Sequence, residues 1–384
     1  MTTQVPGTEG TPEGGRLAGR RFGARRGGRG GRGGGGRGGE ELQVPPAEFR
    51  SYYGRAILKP PVWKHDIAAY LFTGGLAAGS SLLAAGGQAT GRADLRRAGR
   101  ATSLGAVLAS AYFLIADLGR PERFHHMLRV VKPTSPMSVG TWILTAFGPA
   151  SGVAALSELA PLLPERGVLG VARRLLGPAG TVGGWGAAAT APALARYSAV
   201  LLADTATPAW HESHPYLPFV FGGSALASGA GATLISTPLD QTGPARRLAV
   251  IGATAELAGS HVLEHRLGLA SEAFSEEVPG RLMRAARYLT AAGAVGAVLS
   301  RRSRVGSALA GAALLGGSLC TRFGVYEAGK ASSRDPRYTV VPQRERLDRL
   351  AEQDGTAPRT PDGRYLVRDH VPQDQAARRP RPQK

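Results

Sequence analysis

Ionisable and hydroxyl-bearing side chains stand where the first apolar segment of the chain begins. In KPPVWKHDIAAYLF, Lys64, His65 and Asp66 precede a run without charge, and Tyr70 follows Asp66 by four residues. On a helix this spacing places Asp66 and Tyr70 on one face. A charged side chain costs about 2–3 kcal/mol at the centre of a bilayer and less near its surface. The stretch therefore predicts either a polar cavity or a set of anchors at the membrane surface, and both interpretations stay open.

Polar groups also occur in three other apolar segments. In YFLIADLGRPERF, Asp117 and Arg120 are three residues apart, which allows pairing across one helical turn. ALARYSAVLLAD carries Arg196 and Tyr197, and IGATAELAGS carries Glu256. An arginine inside a membrane segment needs a carboxylate or water, so we expect Asp117 or Glu256 to be the partner of Arg196. The set predicts either a cavity that handles protons or an ion pair that joins helices.

The sequence HVLEH matches the H-x-x-E-H pattern of some zinc hydrolases. Its histidines, His261 and His265, are four residues apart and share a helix face, with Glu264 between them. A third ligand would have to come from elsewhere, and the segment ends in charged residues where His and Glu are ordinary. We therefore predict no metal site. The one cysteine, Cys320, excludes a disulfide framework or an iron–sulfur cluster built by this chain alone.

The elements that position these residues belong to a chain of three compositional parts. The net charge of +19 over 384 residues is concentrated outside a central apolar block. Residues 1–50, rich in Gly and Arg, and residues 331–384, rich in charge, are predicted to be disordered tails. Residues 51–330 are predicted to be an all-α integral membrane domain. The Arg/Gly tail resembles RNA-binding segments, but no RNA-binding fold accompanies it, so we expect it to contact anionic lipid and not nucleic acid.

The central block contains eight candidate membrane spans, with seven as the alternative count. A span needs about 20 mostly apolar residues, and the seventh candidate is marginal in length. Small residues dominate the segments, as expected where helices approach closely in lipid. A soluble helical protein would spread its charges along helix faces, whereas here they cluster between segments. The predicted spans are 66–88, 100–118, 138–160, 180–203, 215–237, 246–265, 286–300 and 305–326.

Eight spans place both termini on one side of the membrane. We call this side the A face, with loops 119–137, 204–214 and 266–285, and the other side the B face, with loops 89–99, 161–179, 238–245 and 301–304. The B-face loops carry short arginine clusters and no histidine. The positive-inside rule therefore predicts a cytoplasmic B face and an outward A face in the plasma membrane, although the basic N-terminal tail argues for the reverse.

Three phrases resemble one membrane-protein family. They are YYGRAILKPPVWKHDIAAYLFTGGLAAGSSLLA, IADLGRPERFHHMLRVVKPTSPMSVGTWIL and YSAVLLADTATPAW. They are similar to the NrfD-type membrane subunits of the polysulfide reductase family. The resemblance covers about residues 51–330, and the DLGRP turn followed by KPTSPMSVG is its most specific part.

The resemblance implies an eight-helix membrane anchor, usually without haem. Such a subunit docks a ferredoxin-like iron–sulfur subunit, which connects to a molybdopterin catalytic subunit. Electrons pass between the clusters and a quinone, menaquinone or ubiquinone, bound in the helix bundle. We predict a quinone-reactive subunit of an oxidoreductase complex, with no redox metal of its own.

The resemblance also implies positions for the pocket. Tyr197 matches a quinone-site tyrosine in the fourth span of the family, and Asp66 and Tyr70 are the nearest matches to polar groups in the first. Ile67 stands where relatives carry an amide, which is a departure from the pattern. We predict Tyr197, Tyr70, Asp66 and His65 as quinone-binding residues. Hydrogen-bond donors and protonatable groups suit a reaction that takes up two protons with two electrons, so we predict a proton relay of Asp117, Glu256, Arg120 and Arg196.

The A-face loop 119–137 is predicted to bind the iron–sulfur partner. Its docking residues are Arg123, Arg129 and Lys132. With Arg120 they stand beside the acidic Asp117 and Glu122, so the surface is charged but too mixed in sign for a nucleic-acid patch. Two other functions stay open. A proton-coupled transporter would also carry Asp66, Arg196 and Glu256 inside a bundle, although no internal repeat is evident. A structural anchor would keep the docking loop without needing a polar pocket.

Overall fold

A computed structural model describes residues 56–353. Within that range the chain is helical, with no β-strand. The predicted N-terminal tail, residues 1–50, lies outside the described residues, as do residues 354–384 of the predicted C-terminal tail. Residues 331–353 of that tail are almost entirely helical, because α9 continues past residue 330 and another helix follows it.

Ten α-helices follow one another in the described range, with short 3₁₀ segments between some of them. The helices are α1 His65–Ala89, α2 Ala93–Ala116, α3 Pro136–Ser157, α4 Gly167–Ala203, α5 Pro208–Glu212, α6 Leu217–Ser236, α7 Gly243–Arg266, α8 Glu277–Leu299, α9 Arg304–Arg334 and α10 Arg337–Gln353. The 3₁₀ segments are Pro121–Leu128, Ala160–Leu162, Leu239–Gln241 and Gly268–Phe274.

Proline and glycine mark several of the helix ends. Proline lies in the first turn of α3 and α5, where its missing N–H is not needed for an intrahelical bond. Gly91, with φ of 67°, allows the tight turn between α1 and α2. Gly268, with φ of 55°, lies just after the end of α7.

Five helices are long and apolar enough to cross a membrane, so the chain is an integral membrane protein with several spans. They are α1, α2, α3, α6 and α9. Each of the eight predicted spans corresponds to a long helix, but α4, α7 and α8 are not among the helices that are long and apolar enough to cross a membrane. The helical membrane architecture is therefore confirmed, whereas the count of eight spans stays a prediction.

The long helices form two rings of four. In the first ring α1 packs on α2, α2 on α3, α3 on α4 and α4 on α1. In the second, α6 packs on α7, α7 on α8, α8 on α9 and α9 on α6. The rings meet where α1 and α4 contact α6, and where α1 contacts α9. This arrangement makes α1 and α6 the central helices of the molecule.

Small residues allow the central helices to approach closely. A methyl group added at Gly79 of α1 would overlap the backbone of Ala225 on α6, and one added at Gly229 would overlap Gly79. Within the second ring, Gly223 of α6 lies against the backbone of α7 near Gly252. Close backbone approach of this kind is how helices associate in lipid, where burial of apolar surface gives little driving force.

The outward helix faces are apolar. Large hydrophobic side chains are exposed on the outer helices, as expected for surfaces that contact lipid. Examples are Leu108 and Tyr112 on α2, Val182 and Trp185 on α4, Ile251 on α7, Tyr288 and Val295 on α8 and Leu309 on α9.

Candidate functional site

Tyr197 and Tyr70 lie together near the A-face end of the first ring. Tyr197 of α4 is 8% exposed and Tyr70 of α1 is 2% exposed, and their hydroxyl groups are close enough to interact electrostatically. The Tyr197 ring packs over Gly140 of α3, where an added methyl group would overlap the ring. Three helices therefore position the Tyr197 ring, and a glycine makes room for it.

A groove of about 550 Å³ runs along α3 and α4 and reaches Tyr197. Its walls are largely apolar, formed by prolines and branched aliphatic residues. Its polar groups are Tyr197, Arg196, Thr134 and Asp204. The apolar lining comprises Pro133, Pro136, Val139, Ile143, Pro192, Ala193 and Val200. An apolar groove with a few convergent polar groups is typical of a site for a small organic molecule.

Asp66 and Asp117 are electrostatic neighbours at the A-face ends of α1 and α2. Asp117 follows the last residue of α2 and accepts a hydrogen bond from the backbone N–H of Lys64 at 3.1 Å. Burial, and to a lesser extent Asp66, raises the pKa of the Asp117 carboxyl, and the Lys64 amide opposes this.

The predicted pairing of Asp117 with Arg120 is wrong. No ion pair joins them in the described part of the chain, because α2 ends at Ala116 and the backbone turns before the exposed Arg120. The carboxylate faces the start of α1 instead, where it accepts the Lys64 amide.

His65 belongs to a second cluster at the same end. Its Nε2 lies 2.9 Å from a carboxylate oxygen of Glu327 on α9, and Lys330 lies 4.0 Å from the same carboxylate. The His65 side chain is 66% exposed. Below it, Tyr326 donates a hydrogen bond to the Trp63 carbonyl, and Trp63 stacks on Trp210 with ring centroids 5.7 Å apart. The structure thus places His65 on the A-face surface, tied to the second ring.

Glu256 is buried inside the second ring. It is 2% exposed, and Thr321 donates a hydrogen bond to its Oε1 at 2.5 Å. Its charged neighbour is Arg322 of α9, which is fully buried, donates to the Phe221 carbonyl at 2.8 Å and covers the Phe221 ring at 3.7 Å. Glu256 Oε2 and two Arg322 nitrogens have no hydrogen-bond partner among the described residues.

The predicted pairing of Arg196 with Asp117 or Glu256 is also wrong. Arg196 is exposed and has no ion pair with a described residue. The cause is the position of α6, which packs against both α4 and α7. Gly222 of α6 faces the Arg196 side chain, whereas the adjacent Gly223 faces the backbone at Glu256. Arg196 therefore lines the groove, and Arg322 is the arginine beside Glu256.

Three residues of these clusters escaped the sequence-based prediction. Arg322 could have been found, since it is a charged residue inside the predicted span 305–326, in the run LCTRFG. Glu327 lies just past that span and had no distinguishing signal. Asp204 ends α4 and lines the groove, but it was assigned only to a loop.

The predicted docking residues lie on an exposed surface. Arg123, Arg129 and Lys132 are all exposed, in or after a 3₁₀ segment without buried residues. The loop is tied to α3, because the Lys132 N–H donates to Ser138 Oγ at 3.0 Å and Trp142 Nε1 donates to the Val130 carbonyl at 3.4 Å. Exposed apolar side chains stand among the charges, namely Phe124, Leu128, Val130 and Val131.

The HVLEH segment has an ordinary structural explanation. Glu264 forms an ion pair with Arg287 at 3.1 Å, and the rings of His261 and His265 contact one another with centroids 4.3 Å apart. Over residues 56–353, no group of three or more His, Cys, Asp or Glu side chains is arranged to hold a metal ion.

Comparison with known protein families assigns the chain to a family. A family model described as polysulphide reductase, NrfD, matches residues 57–263, which is more than half of the chain. The chain belongs to the NrfD family. The match begins just before α1 and ends near the C-terminus of α7, so it includes the groove, both tyrosines and Glu256. No curated protein matches the chain.

Proposed function

We propose that this NrfD protein is a quinone-reactive anchor subunit of a membrane oxidoreductase complex in the plasma membrane. All eight long helices cross the bilayer, with both termini on the A face. The subunit exchanges electrons between a quinone pool and a ferredoxin-like iron–sulfur subunit, which serves a molybdopterin catalytic subunit. Membership of the NrfD family supports the role of membrane anchor.

The groove that reaches Tyr197 supports the quinone site most strongly. A quinone headgroup is a flat ring with two carbonyl oxygens, so its site needs apolar walls and a few hydrogen-bond donors. The groove offers proline and aliphatic walls, with Tyr197, Arg196 and Thr134 as donors, in about 550 Å³. The residues present therefore fit the group.

The chain's own residues bind and orient the ring. Tyr197 can donate a hydrogen bond to one carbonyl oxygen and Arg196 or Thr134 to a second acceptor. Gly140 and Tyr70 fix the Tyr197 ring, which keeps its hydroxyl in one position. A bound quinone supplies the chemistry of accepting two electrons and two protons.

Protons reach the site through side chains on the same side of the molecule. Tyr70 of α1 lies next to Tyr197. Arg322 extends to Gly75, which is about one and a half helical turns beyond Tyr70 on α1. Arg322 in turn neighbours Glu256. This series leads from the groove into the second ring, whereas Asp66, one helical turn before Tyr70, and Asp117 lie at the A-face ends of α1 and α2. The proposed relay therefore contains Glu256 and Asp117, with Arg322 in the position earlier assigned to Arg196.

Electrons must come from a partner, because one cysteine cannot build an iron–sulfur cluster. The exposed loop with Arg123, Arg129 and Lys132 lies at the same end as the groove. We place the partner there, since electron transfer needs a short distance between donor and acceptor.

The test is quinone-analogue turnover by the intact membrane complex with Tyr197→Phe. The change keeps the ring and removes one hydroxyl, so we expect turnover to fall about two- to tenfold, in line with about 0.5–1.5 kcal/mol for one hydrogen bond. Tyr288→Phe is the matched control, because Tyr288 is 75% exposed on α8, away from the groove. Retention of the iron–sulfur subunit is measured in parallel.

Unchanged turnover in Tyr197→Phe and in a Tyr70→Phe, Asp66→Asn double variant would contradict the quinone site. The chain would then act as a structural anchor. If the iron–sulfur subunit were lost together with turnover, the variant would have failed to assemble. Turnover per assembled complex would then decide between a quinone site and a structural anchor.

A further inference from the structure

A second groove, of about 630 Å³, opens at the B-face ends of α7 and α8. Its floor contains Val250, Ile251 and Val298, which are 38%, 58% and 40% exposed. On α8 the exposed Val295 and Leu299 lie next to Val298, so the apolar floor continues into the outer surface of that helix. The rim carries Arg246, Arg247, Arg301 and Asp240.

The charges at the rim are unbalanced. Arg246 is 8% exposed, and every hydrogen bond it donates goes to a neutral oxygen, among them Thr242 Oγ1 at 3.1 Å and the Ser300 carbonyl at 3.4 Å. Arg301 repels it electrostatically. Arg247 and Arg301 are exposed, and none of the three arginines has a carboxylate of a described residue within ion-pair distance, Asp240 included. Burying an arginine without a counter-charge is unfavourable, so the groove favours an anion.

Two arginines at the B-face end of the first ring have a counter-charge. Arg100 and Arg96 bind the Glu158 carboxylate at 2.8 and 2.6 Å. Arg304, like Arg246, donates to neutral carbonyls, including that of Thr237 at 2.6 Å, but it does not line the second groove. The three arginines of the second groove differ from Arg96 and Arg100 because no carboxylate of a described residue offsets their charge over the apolar floor.

We propose that this groove binds an anionic phospholipid of the bilayer. The phosphate group lies among Arg246, Arg247 and Arg301, and an acyl chain lies along Val250, Ile251 and Val298. Basic residues between membrane helices, at headgroup level, are a recognised setting for such lipids. The site lies at the opposite end of the helices from the tyrosine groove, so it does not depend on the quinone proposal.

The test uses the full chain purified in a neutral detergent with its accompanying subunits. Native mass spectrometry compares the binding of phosphatidylglycerol and phosphatidylcholine with identical acyl chains. We expect the wild-type chain to prefer phosphatidylglycerol. The Arg247→Gln, Arg301→Gln double variant should reduce that preference by a factor of at least about ten, because each arginine near an anionic surface contributes roughly a fivefold factor. Arg302→Gln should keep the preference, because Arg302 is exposed beside the groove without lining it.

Arg247→Lys, Arg301→Lys restores the charge and should restore most of the preference, which separates charge recognition from misfolding. The proposal is overturned if both lipids bind equally, or if the glutamine double variant keeps the wild-type preference. Displacement of phosphatidylglycerol by millimolar inorganic phosphate would also overturn it, since the site would then recognise a free anion and not a lipid.

Discussion

The position of a few side chains decides the chemistry of this molecule. Tyr197 was predicted from a resemblance and Tyr70 from a helical spacing, and the structure brings the two together beside a groove. Asp66 and Asp117 are also electrostatic neighbours, although neither spacing nor resemblance predicted that arrangement. Most of the predicted residues therefore lie towards the A-face end, in groups that follow helix packing, whereas Glu256 lies inside the second ring.

Gly140 provides a test of whether the position of the Tyr197 ring matters. A methyl group there would overlap the ring, and overpacking of this kind costs about 1–3 kcal/mol. We expect Gly140→Ala to displace Tyr197 and to lower quinone-analogue turnover at least as much as Tyr197→Phe does. Gly148→Ala on the same helix is the control, because nothing lies within 4 Å of an added methyl group there. Equal turnover in the two alanine variants would show that the ring position is unimportant.

The partner of Glu256 is an example of a contact that the sequence did not predict. Glu256 was recognised as a carboxyl inside an apolar run, and it is buried. Its neighbour was expected to be Arg196 but is Arg322, because α6 lies between α4 and α7. Spacing within one helix reveals which residues share a face, whereas the rotation and neighbours of each helix depend on packing across the bundle.

At the scale of helices, the B-face ends of the first ring are joined by one carboxylate. Glu158, 14% exposed, follows α3 and binds Arg96 at 2.6 Å, Arg100 at 2.8 Å and Arg97 at 3.5 Å, all on α2. Arg100 also donates to Gln88 of α1 at 2.5 Å and to the Gly180 carbonyl of α4 at 3.0 Å. One cluster thus connects all four helices of the ring.

Removing the Glu158 charge should destabilise the protein, because three arginines would lose their counter-charge. We expect Glu158→Gln to lower the free energy of unfolding by about 2–3 kcal/mol, measured as thermal stability in detergent. Glu165→Gln is the control, since Glu165 is 78% exposed in its pair with Arg173 and such pairs contribute about 0–1 kcal/mol. Similar losses in both variants would contradict a special role for Glu158.

The same carboxylate should make stability depend on pH. Burial alone would raise the pKa of Glu158, but the hydrogen bond and charge of Arg96, with Arg100 and Arg97, outweigh it and lower the pKa. The stabilisation is therefore complete above the unfolded-state value of about 4.3 and is lost as pH falls through the lower folded-state value. We expect Glu158→Gln to flatten the thermal stability profile in this acidic range, and an unchanged profile would contradict the assignment.

The loop after α2 should be the docking element for the iron–sulfur partner. Reversing Arg123 and Arg129 to Glu removes the positive charges beside exposed Val130 and Phe124, so we expect less partner to be retained during purification in detergent. Arg174→Glu, Arg302→Glu is the control, because both arginines are exposed on the B face. Equal retention in the two double variants would show that the partner docks elsewhere.

At the scale of the whole molecule, the sequence predicted the helices but not their arrangement. Predominantly apolar segments predicted each long helix, with ends that differ most at α4, which begins at Gly167 and not near residue 180. The two rings could not be predicted, because similar stripes of small residues occur on several helices. Only the three-dimensional contacts show that α1 pairs with α6 through Gly79 and Gly229.

The orientation of the whole bundle is set during insertion, before helices pack, so every B-face arginine contributes, including Arg100 and Arg304, which later acquire partners. We therefore expect a reporter fused after Lys384 to work only if it is active outside the cytoplasm. A fusion truncated after Arg302, on the B face, should behave in the opposite way. The reverse pattern would place the A face, and with it the partner subunit, in the cytoplasm. The proposed tyrosine groove would be unaffected, because its lining residues are set by helix packing and not by the orientation of the bundle.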